Sequence, residues 1–150
     1  MWKFILIDQS KNFALNITGQ GYPQPSASVD SIPDSLFQAI DGRIWYFPEI
    51  TNRWTTQSSK SKNDWYEIDF GNANEISVIK VYLVSDGKIL DVPDSIPIGY
   101  HLKQQWMPVE IKDNPKLIGN TSNAILFKKF LPKRLGSISN MKLNKSLYQK

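Results

Sequence analysis

The chain of 150 residues contains no cysteine and a single histidine, His101. Without cysteine it has no disulfide, no thiolate metal ligand and no cysteine nucleophile, although many exported domains also lack disulfides. One histidine cannot supply the two imidazoles of a two-histidine zinc site, and a Ser-His-Asp triad would have to use His101, which has no neighbouring acid. The composition therefore argues against the commonest metal-dependent and nucleophilic hydrolases.

Long hydrophobic runs are also absent, since no segment approaches the ~20 apolar residues of a membrane-spanning helix. Residues 1–7 (MWKFILI) are largely apolar, but Asp8 interrupts them before the hydrophobic region of a signal peptide is complete. The sequence thus predicts neither an integral membrane segment nor a signal peptide in this chain. It predicts either a cytoplasmic protein or one that reaches the cell surface or exterior as part of a longer parent protein.

Acidic residues are absent after Asp113. All 14 Asp and Glu lie in residues 1–113, whereas residues 114–150 contain 8 Lys and Arg. The basic character therefore comes from the C-terminal part and not from a basic folded face, and we expect no nucleic-acid partner. Residues 132–150 are interpreted as a basic, poorly packed tail, because like charges repel and Pro132 and Gly136 interrupt the periodicity.

Turn-forming residues are frequent, with nine Pro and eight Gly, and they leave little room for long helices. Residues 65–70 (WYEIDF) alternate, with Tyr66 and Ile68 on one face and Trp65 on the other, as in a half-buried strand. Residues 76–84 (ISVIKVYLV) are typical of a central strand. Further strands are expected at residues 13–18, 100–102, 107–111 and 124–130, and one short helix at residues 34–40. The pattern predicts an all-β antiparallel sandwich.

Four segments follow one another in an order that is informative: residues 12–18 (NFALNIT), 38–56 (QAIDGRIWYFPEITNRWTT), 65–71 (WYEIDFG) and 76–82 (ISVIKVY). They contain, in turn, an Ala-Leu-Asn strand, an Ala-x-Asp-Gly turn followed by Arg-Trp, a Trp-x-x-Ile-Asp-Phe-Gly strand and an apolar strand. In this order they resemble the discoidin or coagulation-factor-V/VIII type C family, whose bacterial members include the family 32 carbohydrate-binding modules. The resemblance covers residues 12–90.

This resemblance implies a galactose-binding-like jelly-roll β-sandwich of about eight antiparallel strands. It predicts a sandwich domain at residues 12–131, an N-terminal extension at residues 1–11 and the basic tail at residues 132–150. Many members close the sandwich with a Glu-Ile-Glu-Val type strand, which has no counterpart here because no acid follows Asp113. The sequence leaves open whether a regular last strand exists, and a truncated domain or a shifted reading frame would each explain its absence.

The Ala-x-Asp-Gly turn of the family often holds a structural calcium ion, and Asp41 and Thr51 are the residues here that match its ligands. Asn52 occupies the position of a family threonine, and the glutamate of the last strand has no counterpart. Calcium takes six to eight oxygen ligands, among them carboxylates. The alternative is that Asp41 caps a turn in which Gly42 supplies a positive φ. One structural calcium ion and a simple capped turn both remain open.

Residues 44–49 (IWYFPE) form an insertion relative to the family. Its aromatic residues, Trp45, Tyr46 and Phe47, cannot all point into one core, so the sequence predicts an exposed surface that binds carbohydrate, with Tyr22 of the preceding loop contributing to the same end of the sandwich. The alternative is that the insertion covers one open end of the sandwich and buries Trp45 and Phe47.

Other candidate residues are interpreted as structural. Trp54 and Trp65 match core positions of the family, so both are expected between the sheets. Glu67 and Asp69 lie two residues apart on one strand face, where they could form a pair of glycosidase carboxylates, but their strand matches the scaffold strand of the family. No active site is therefore predicted, and His101 is not expected to be a catalytic base.

The function implied by the resemblance is that of a non-catalytic carbohydrate-binding module, monomeric and part of a larger secreted glycoside hydrolase or polysaccharide-acting protein. Its expected partner is an oligo- or polysaccharide. One alternative is a discoidin-type adhesion or interaction domain that binds protein or phospholipid through the same loops. The other is a truncated fragment without independent activity.

Overall fold

The computed structural model describes most of the chain, namely residues 2–8, 11–30, 35–45, 52–57, 59–61, 63–88, 90–113 and 115–139. Of residues 2–8 and 137–139 it describes the backbone alone. The strands in these ranges are β1 (Trp2–Asp8), β2 (Lys11–Asn12), β3 (Gln24–Ala27), β4 (Asp64–Asp69), β5 (Ile76–Leu83), β6 (Ile98–Leu102), β7 (Gln105–Pro108), β8 (Ile111–Asp113), β9 (Thr121–Phe130) and β10 (Arg134–Ser139). The helix of the described ranges, α1 (Ser35–Gln38), has four residues, and none of their helices is long enough to cross a membrane.

The strands form two five-stranded sheets whose neighbouring strands are antiparallel. The first sheet has the order β2-β1-β5-β9-β8, and the second has the order β3-β4-β10-β6-β7. The predicted all-β sandwich is confirmed. The predicted strand at residues 13–18 is absent, because this segment forms turns and bends.

The hydrophobic core lies between the sheets and follows from the alternation of side chains along each strand. In β4, Tyr66 and Ile68 are buried, whereas Trp65 faces outward. The opposite wall comes from inward-facing residues of the first sheet, namely Ile76, Ile79, Val81, Leu83, Ile125 and Phe127. Each such large apolar side chain stabilises the fold by roughly 1.5–3 kcal/mol when it leaves water.

Strand β10 lies at the centre of the second sheet. It pairs with β4 from Arg134 opposite Asp69 to Ser139 opposite Asp64, and residues 135–137 also pair with β6. Leu135 is buried in the core, and Nε of Arg134 donates to Oδ2 of Asp69 at 2.7 Å. The sandwich therefore has a regular last strand. The predicted poorly packed tail is wrong for residues 134–139. Gly136 does not interrupt the strand but lies in close contact with the Trp106 side chain, and Arg134 pairs with Asp69. Residues 140–150 lie outside the described residues.

Strand β1 lies inside the first sheet, between β2 and β5. Its register runs from Trp2 opposite Leu83 to Leu6 opposite Ile79. The predicted N-terminal extension at residues 1–11 is thus wrong for residues 2–8, which add a full strand to the sandwich, and the domain boundary at residue 12 moves accordingly. The apolar run of this segment is that of a sheet strand.

Candidate functional site

At one end of the sandwich, the loop of residues 13–23 packs against the turn of residues 39–42. The backbone N–H of Asn16 donates to the carbonyl of Ile40 at 2.9 Å. The buried Asn16 side chain holds its own loop, since Nδ2 donates to the carbonyls of Pro23 and Gln20 at 2.9 and 3.1 Å. These bonds fix the end of the sandwich that carries the predicted aromatic residues. We call residues 13–23 and 39–45 the loop surface.

Tyr22 is the most exposed aromatic residue of the loop surface, with 60% of its area accessible. Its ring lies against Gly71, where an added Cβ would approach the Tyr22 Cγ to 2.7 Å. Gly71 also has φ +75°, a conformation that favours glycine. The ring of Tyr22 is therefore supported by backbone while much of its area faces solvent.

Trp45 follows the turn of residues 41–42 and is 40% exposed. The loop that carries Tyr22 contacts this same turn, because the Leu15 side chain reaches Gly42. Tyr46, Phe47 and Thr51 lie outside the described residues. The structure thus places the elements that carry Tyr22 and Trp45 side by side, and ligand binding by these side chains stays a prediction.

The Asp41 turn has the geometry of a capped turn, which is the predicted alternative to a calcium site. Asp41 Oδ1 accepts the backbone N–H of Arg43 at 2.8 Å, and Gly42 has φ +81°. Gln38 Oε1 accepts the N–H of Arg53 at 3.1 Å, which holds Asn52 beside the helix that leads into the turn. Asn52 is buried, and neither of its amide atoms has a hydrogen-bond partner among the residues that the structure describes.

Asp41 and Asn52 offer oxygen donors of the kind that calcium takes. Among the described residues, however, no three His, Cys, Asp or Glu come together as a metal-binding group. The oxygen donors of the described residues are therefore of the chemical type that calcium binds, but they include one carboxylate, that of Asp41. Sites with few carboxylates bind calcium weakly.

The outer face of the second sheet carries a groove that no pattern in the sequence predicts. Its volume is about 480 Å³, which lies in the range of small-molecule sites. We call it the sheet-face groove; its lining includes Trp65, Glu67, Gly99, Trp106, Pro108 and Gly136. These residues come from β4, β10, β6 and β7, so the groove runs across four neighbouring strands.

Trp106 lies over a floor made of two glycines. A Cβ on Gly136 would come within 2.9 Å of the indole Cη2, and one on Gly99 within 3.3 Å of Cε3. The His101 ring packs edge-on beside the indole, with 5.5 Å between ring centroids. Although it is held on these sides, Trp106 is still 46% exposed. Glycine at both positions lets the indole lie close to the sheet.

Trp65 lines the same groove and is 41% exposed. Its predicted core position is therefore wrong, because the alternation of β4 directs Tyr66 inward and Trp65 outward. Trp54 is confirmed as a core residue, with 1% exposure and an indole N–H that donates to the Val29 carbonyl at 2.7 Å.

Charged side chains lie on the outer face beside the indoles. Arg134 bonds Asp69 and lies 3.6 Å from Glu67, as measured from Nη1 to Oε1. Burial raises the pKa of the Glu67 carboxyl, and the Arg134 guanidinium opposes this shift. The groove therefore has a partly desolvated carboxylate next to the Trp106 indole and on the same strand face as Trp65.

No protein-family model and no curated protein sequence matches the chain. Solved structures do match it. A chain of the Streptococcus pneumoniae β-galactosidase BgaA is 21% identical over 88% of this chain and 90% of that one, with a TM-score of 0.76. The lectin domain of lectinolysin, solved with Lewis B antigen, is 13% identical over 89% of each chain, with a TM-score of 0.64.

A third similar structure is CpGH89CBM32-5 from Clostridium perfringens, in complex with GalNAc-β-1,3-galactose. It is 12% identical over 79% of this chain and 84% of that one, with a TM-score of 0.57. Because each pair is below 25% identity, the likeness is one of fold. The chain has the galactose-binding-like β-sandwich that the sequence predicts.

Proposed function

We propose that the chain is a non-catalytic carbohydrate-binding module that binds sugar at the loop surface. The observation that carries the proposal is Tyr22, an exposed ring held against Gly71 in a loop that packs on the turn leading to Trp45. Sugars present flat C–H faces rimmed by hydroxyls, and fixed aromatic rings match those faces. A ring that is already fixed loses little conformational entropy when it binds.

Solved structures of similar fold support this function. The lectin domain of lectinolysin was solved with Lewis B antigen, and CpGH89CBM32-5 with GalNAc-β-1,3-galactose. The four segments that resemble the discoidin or coagulation-factor-V/VIII type C family also favour membership in that family, close to the family 32 modules. In such a protein the module raises the local concentration of an attached enzyme at its polymer. The parent protein would then act outside the cell or at its surface.

A non-catalytic role is favoured by the partners of the two carboxylates on β4. Arg134 bonds Asp69 and lies within 4 Å of Glu67, so one cation serves both acids. A retaining or inverting glycosidase needs one carboxyl as acid and the other as nucleophile or base across a scissile bond. On β4 the two carboxylates instead help to hold β10 against β4.

Replacement of Tyr22 or Trp45 by alanine is expected to weaken glycan binding about tenfold or more. The physical reason is the loss of ring area against the sugar, while the backbone contacts of the loop surface remain. Binding is measured first on a glycan array and then by titration calorimetry with the best-bound glycan. Thermal melting checks the fold, and each variant is expected to melt within about 4 °C of the parent chain, since exposed substitutions cost little.

Tyr22→Phe is the matched control, because it keeps the ring and removes only the hydroxyl. It should retain most of the affinity if stacking carries the binding. Unchanged glycan affinity in both alanine variants would show that the loop surface is not the site. Binding to phospholipid vesicles or to protein, with none to glycans, would favour the discoidin-type adhesion alternative.

We also propose that the Asp41 turn binds one calcium ion weakly. The proposal is supported by the buried amide of Asn52 beside this turn, which has no hydrogen-bond partner within the described ranges. With a Kd of about 0.1–1 mM, as in extracellular modules, about 10 mM calcium would stabilise the fold by roughly 1.4–2.7 kcal/mol. Thermal melting in calcium and in EDTA should then differ by several degrees.

Asp41→Asn is the control for calcium binding, because an asparagine oxygen still accepts the Arg43 N–H while the charge is lost. The calcium effect should disappear in this variant and should not be reproduced by the same concentration of magnesium. A parent chain whose melting temperature is the same in calcium and in EDTA has a capped turn and no ion.

A further inference from the structure

We propose that the sheet-face groove is a second glycan-binding site, which takes a stretch of a neutral polysaccharide chain across Trp65 and Trp106. This extends the proposed carbohydrate-binding function to a second surface. The described residues that line the groove come from the second sheet and from Pro97 directly before β6, and none of them belongs to the loop surface. The two sites can therefore be tested separately.

The first argument is the support of the Trp106 ring. The indole lies over Gly136 and Gly99 and is flanked by His101, so its position is fixed before any ligand arrives. An indole packed only to fill space would be largely covered, whereas this one keeps 46% of its area exposed. The exposed indole surface offers a sugar ring a flat apolar area. Trp65 provides a second indole in the same groove.

The second argument is the polar group beside the indoles. Glu67 opposes Gly136 in the sheet, next to the Trp106 indole, and lies two residues from Trp65 on the same face of β4. Its carboxylate oxygens can accept hydrogen bonds, and Oε1 lies 3.6 Å from Nη1 of Arg134. An anion in a mostly apolar groove needs donors, which sugar hydroxyls supply. The arrangement thus has apolar surface for C–H groups and an acceptor for hydroxyls.

The charges indicate which glycans fit. On the described outer face near the indoles, the two acids Glu67 and Asp69 share one cationic partner, Arg134. Uronic acids, sialic acids, sulfated sugars and anionic lipid headgroups would meet this net negative charge, so neutral sugars are favoured. A protein partner would need about 1,000 Å² of buried surface. A groove of about 480 Å³ is better matched to about two or three sugar rings.

The test uses the full chain and five neutral hexasaccharides: those of β-1,4-linked glucose, xylose, mannose, galactose and N-acetylglucosamine. Titration calorimetry should find binding of at least one of them. Trp65→Ala and Trp106→Ala should each weaken that binding about tenfold or more. Leu126→Ala, which changes an exposed residue of β9 in the other sheet that belongs to neither site, should leave it within about twofold. A galacturonate hexasaccharide should bind at least tenfold more weakly than the best neutral one.

Gly136→Ala tests whether the position of the Trp106 indole over the sheet matters for binding, without removing either indole. The added methyl would meet Cη2 of Trp106, so the indole must move. We expect a loss of hexasaccharide affinity similar to that of Trp106→Ala, together with a changed tryptophan fluorescence spectrum. Gly87→Ala adds a methyl group where nothing lies within 4 Å, but at a backbone φ of +70° that disfavours alanine, so it is the control for general destabilisation by a substituted glycine.

Three results would overturn the second site. They are failure of all five hexasaccharides to bind the parent chain, binding that survives both Trp65→Ala and Trp106→Ala, and a dimer that Trp106→Ala dissociates. The last result would assign the groove to a second copy of the chain. Failure of the proposed function at the loop surface has a different signature, since array binding would then be insensitive to Tyr22→Ala and Trp45→Ala.

Discussion

Replacement of Trp54 by alanine is expected to lower the free energy of unfolding by about 3–5 kcal/mol. The indole is 1% exposed, packs on Tyr66 with 5.2 Å between ring centroids, and donates its N–H to the Val29 carbonyl. Alanine therefore leaves a large cavity and a carbonyl without this donor. Since a domain of this kind is stable by about 5–15 kcal/mol, much of the stability would be lost. Urea unfolding followed by circular dichroism measures the change.

Trp65→Ala is the matched control, because it removes the same side chain from an exposed position on the outer face. It should cost less than about 1 kcal/mol. Trp54→Phe separates the two contributions, since it keeps ring packing and loses the hydrogen bond to Val29. Equal destabilisation by Trp54→Ala and Trp65→Ala would contradict the assignment of one tryptophan to the core and the other to the surface.

A chain that ends at Lys133 is expected not to fold. It lacks β10, so the second sheet would be divided into the pair β3-β4 and the pair β6-β7. The backbone groups of β4 and β6 that face β10 would lose their partners, and the core would lose Leu135. This loss exceeds the stability available to a domain of 150 residues. Circular dichroism should show no cooperative thermal transition.

The matched control is a chain that ends at Ser139, which keeps every described strand. It should unfold cooperatively. If the chain ending at Lys133 melted at the same temperature as the chain ending at Ser139, β10 would not be the strand that completes the second sheet. Arg134→Ala in the full chain tests the ion pair with Asp69 by itself, and this partly exposed pair should contribute about 1 kcal/mol or less.

Strands with a regular alternation of buried and exposed residues were predictable, and irregular ones were not. Residues 65–70 and 76–84 gave β4 and β5 within one residue at each end. Residues 134–139 (RLGSIS) contain a charge and a glycine, and their strand depends on Asp69 and Trp106, which are distant in sequence. Residues 13–18 have the composition of a strand but form turns and bends, where the Asn16 side chain bonds nearby carbonyls.

The residues of the candidate sites also differ in how far they could be predicted from the sequence. The run of three aromatic residues predicts that at least one of them is exposed, and Trp45 is exposed, whereas the alternative in which the insertion buries Trp45 also followed from the sequence. The outward direction of Trp65 also follows from the alternation of β4, but the family resemblance assigned this residue to the core. Trp106 was not predicted, because all four residues of β7 are exposed and show no alternation. Its support by Gly136 requires the pairing of β10 with β6, which depends on tertiary structure.

The central place of β10 sets the order in which the protein can fold during synthesis. β4 and β6 are translated well before β10, and Arg134 follows its partner Asp69 by 65 residues in the sequence. Until residues 134–139 leave the ribosome, these two strands present unpaired edges to other chains. Such long-range pairing is also slow, on the order of milliseconds to seconds in β-sandwiches. Nascent chains are therefore most prone to aggregate just before the last described strand is made, and a chaperone that shields strand edges would act in that interval.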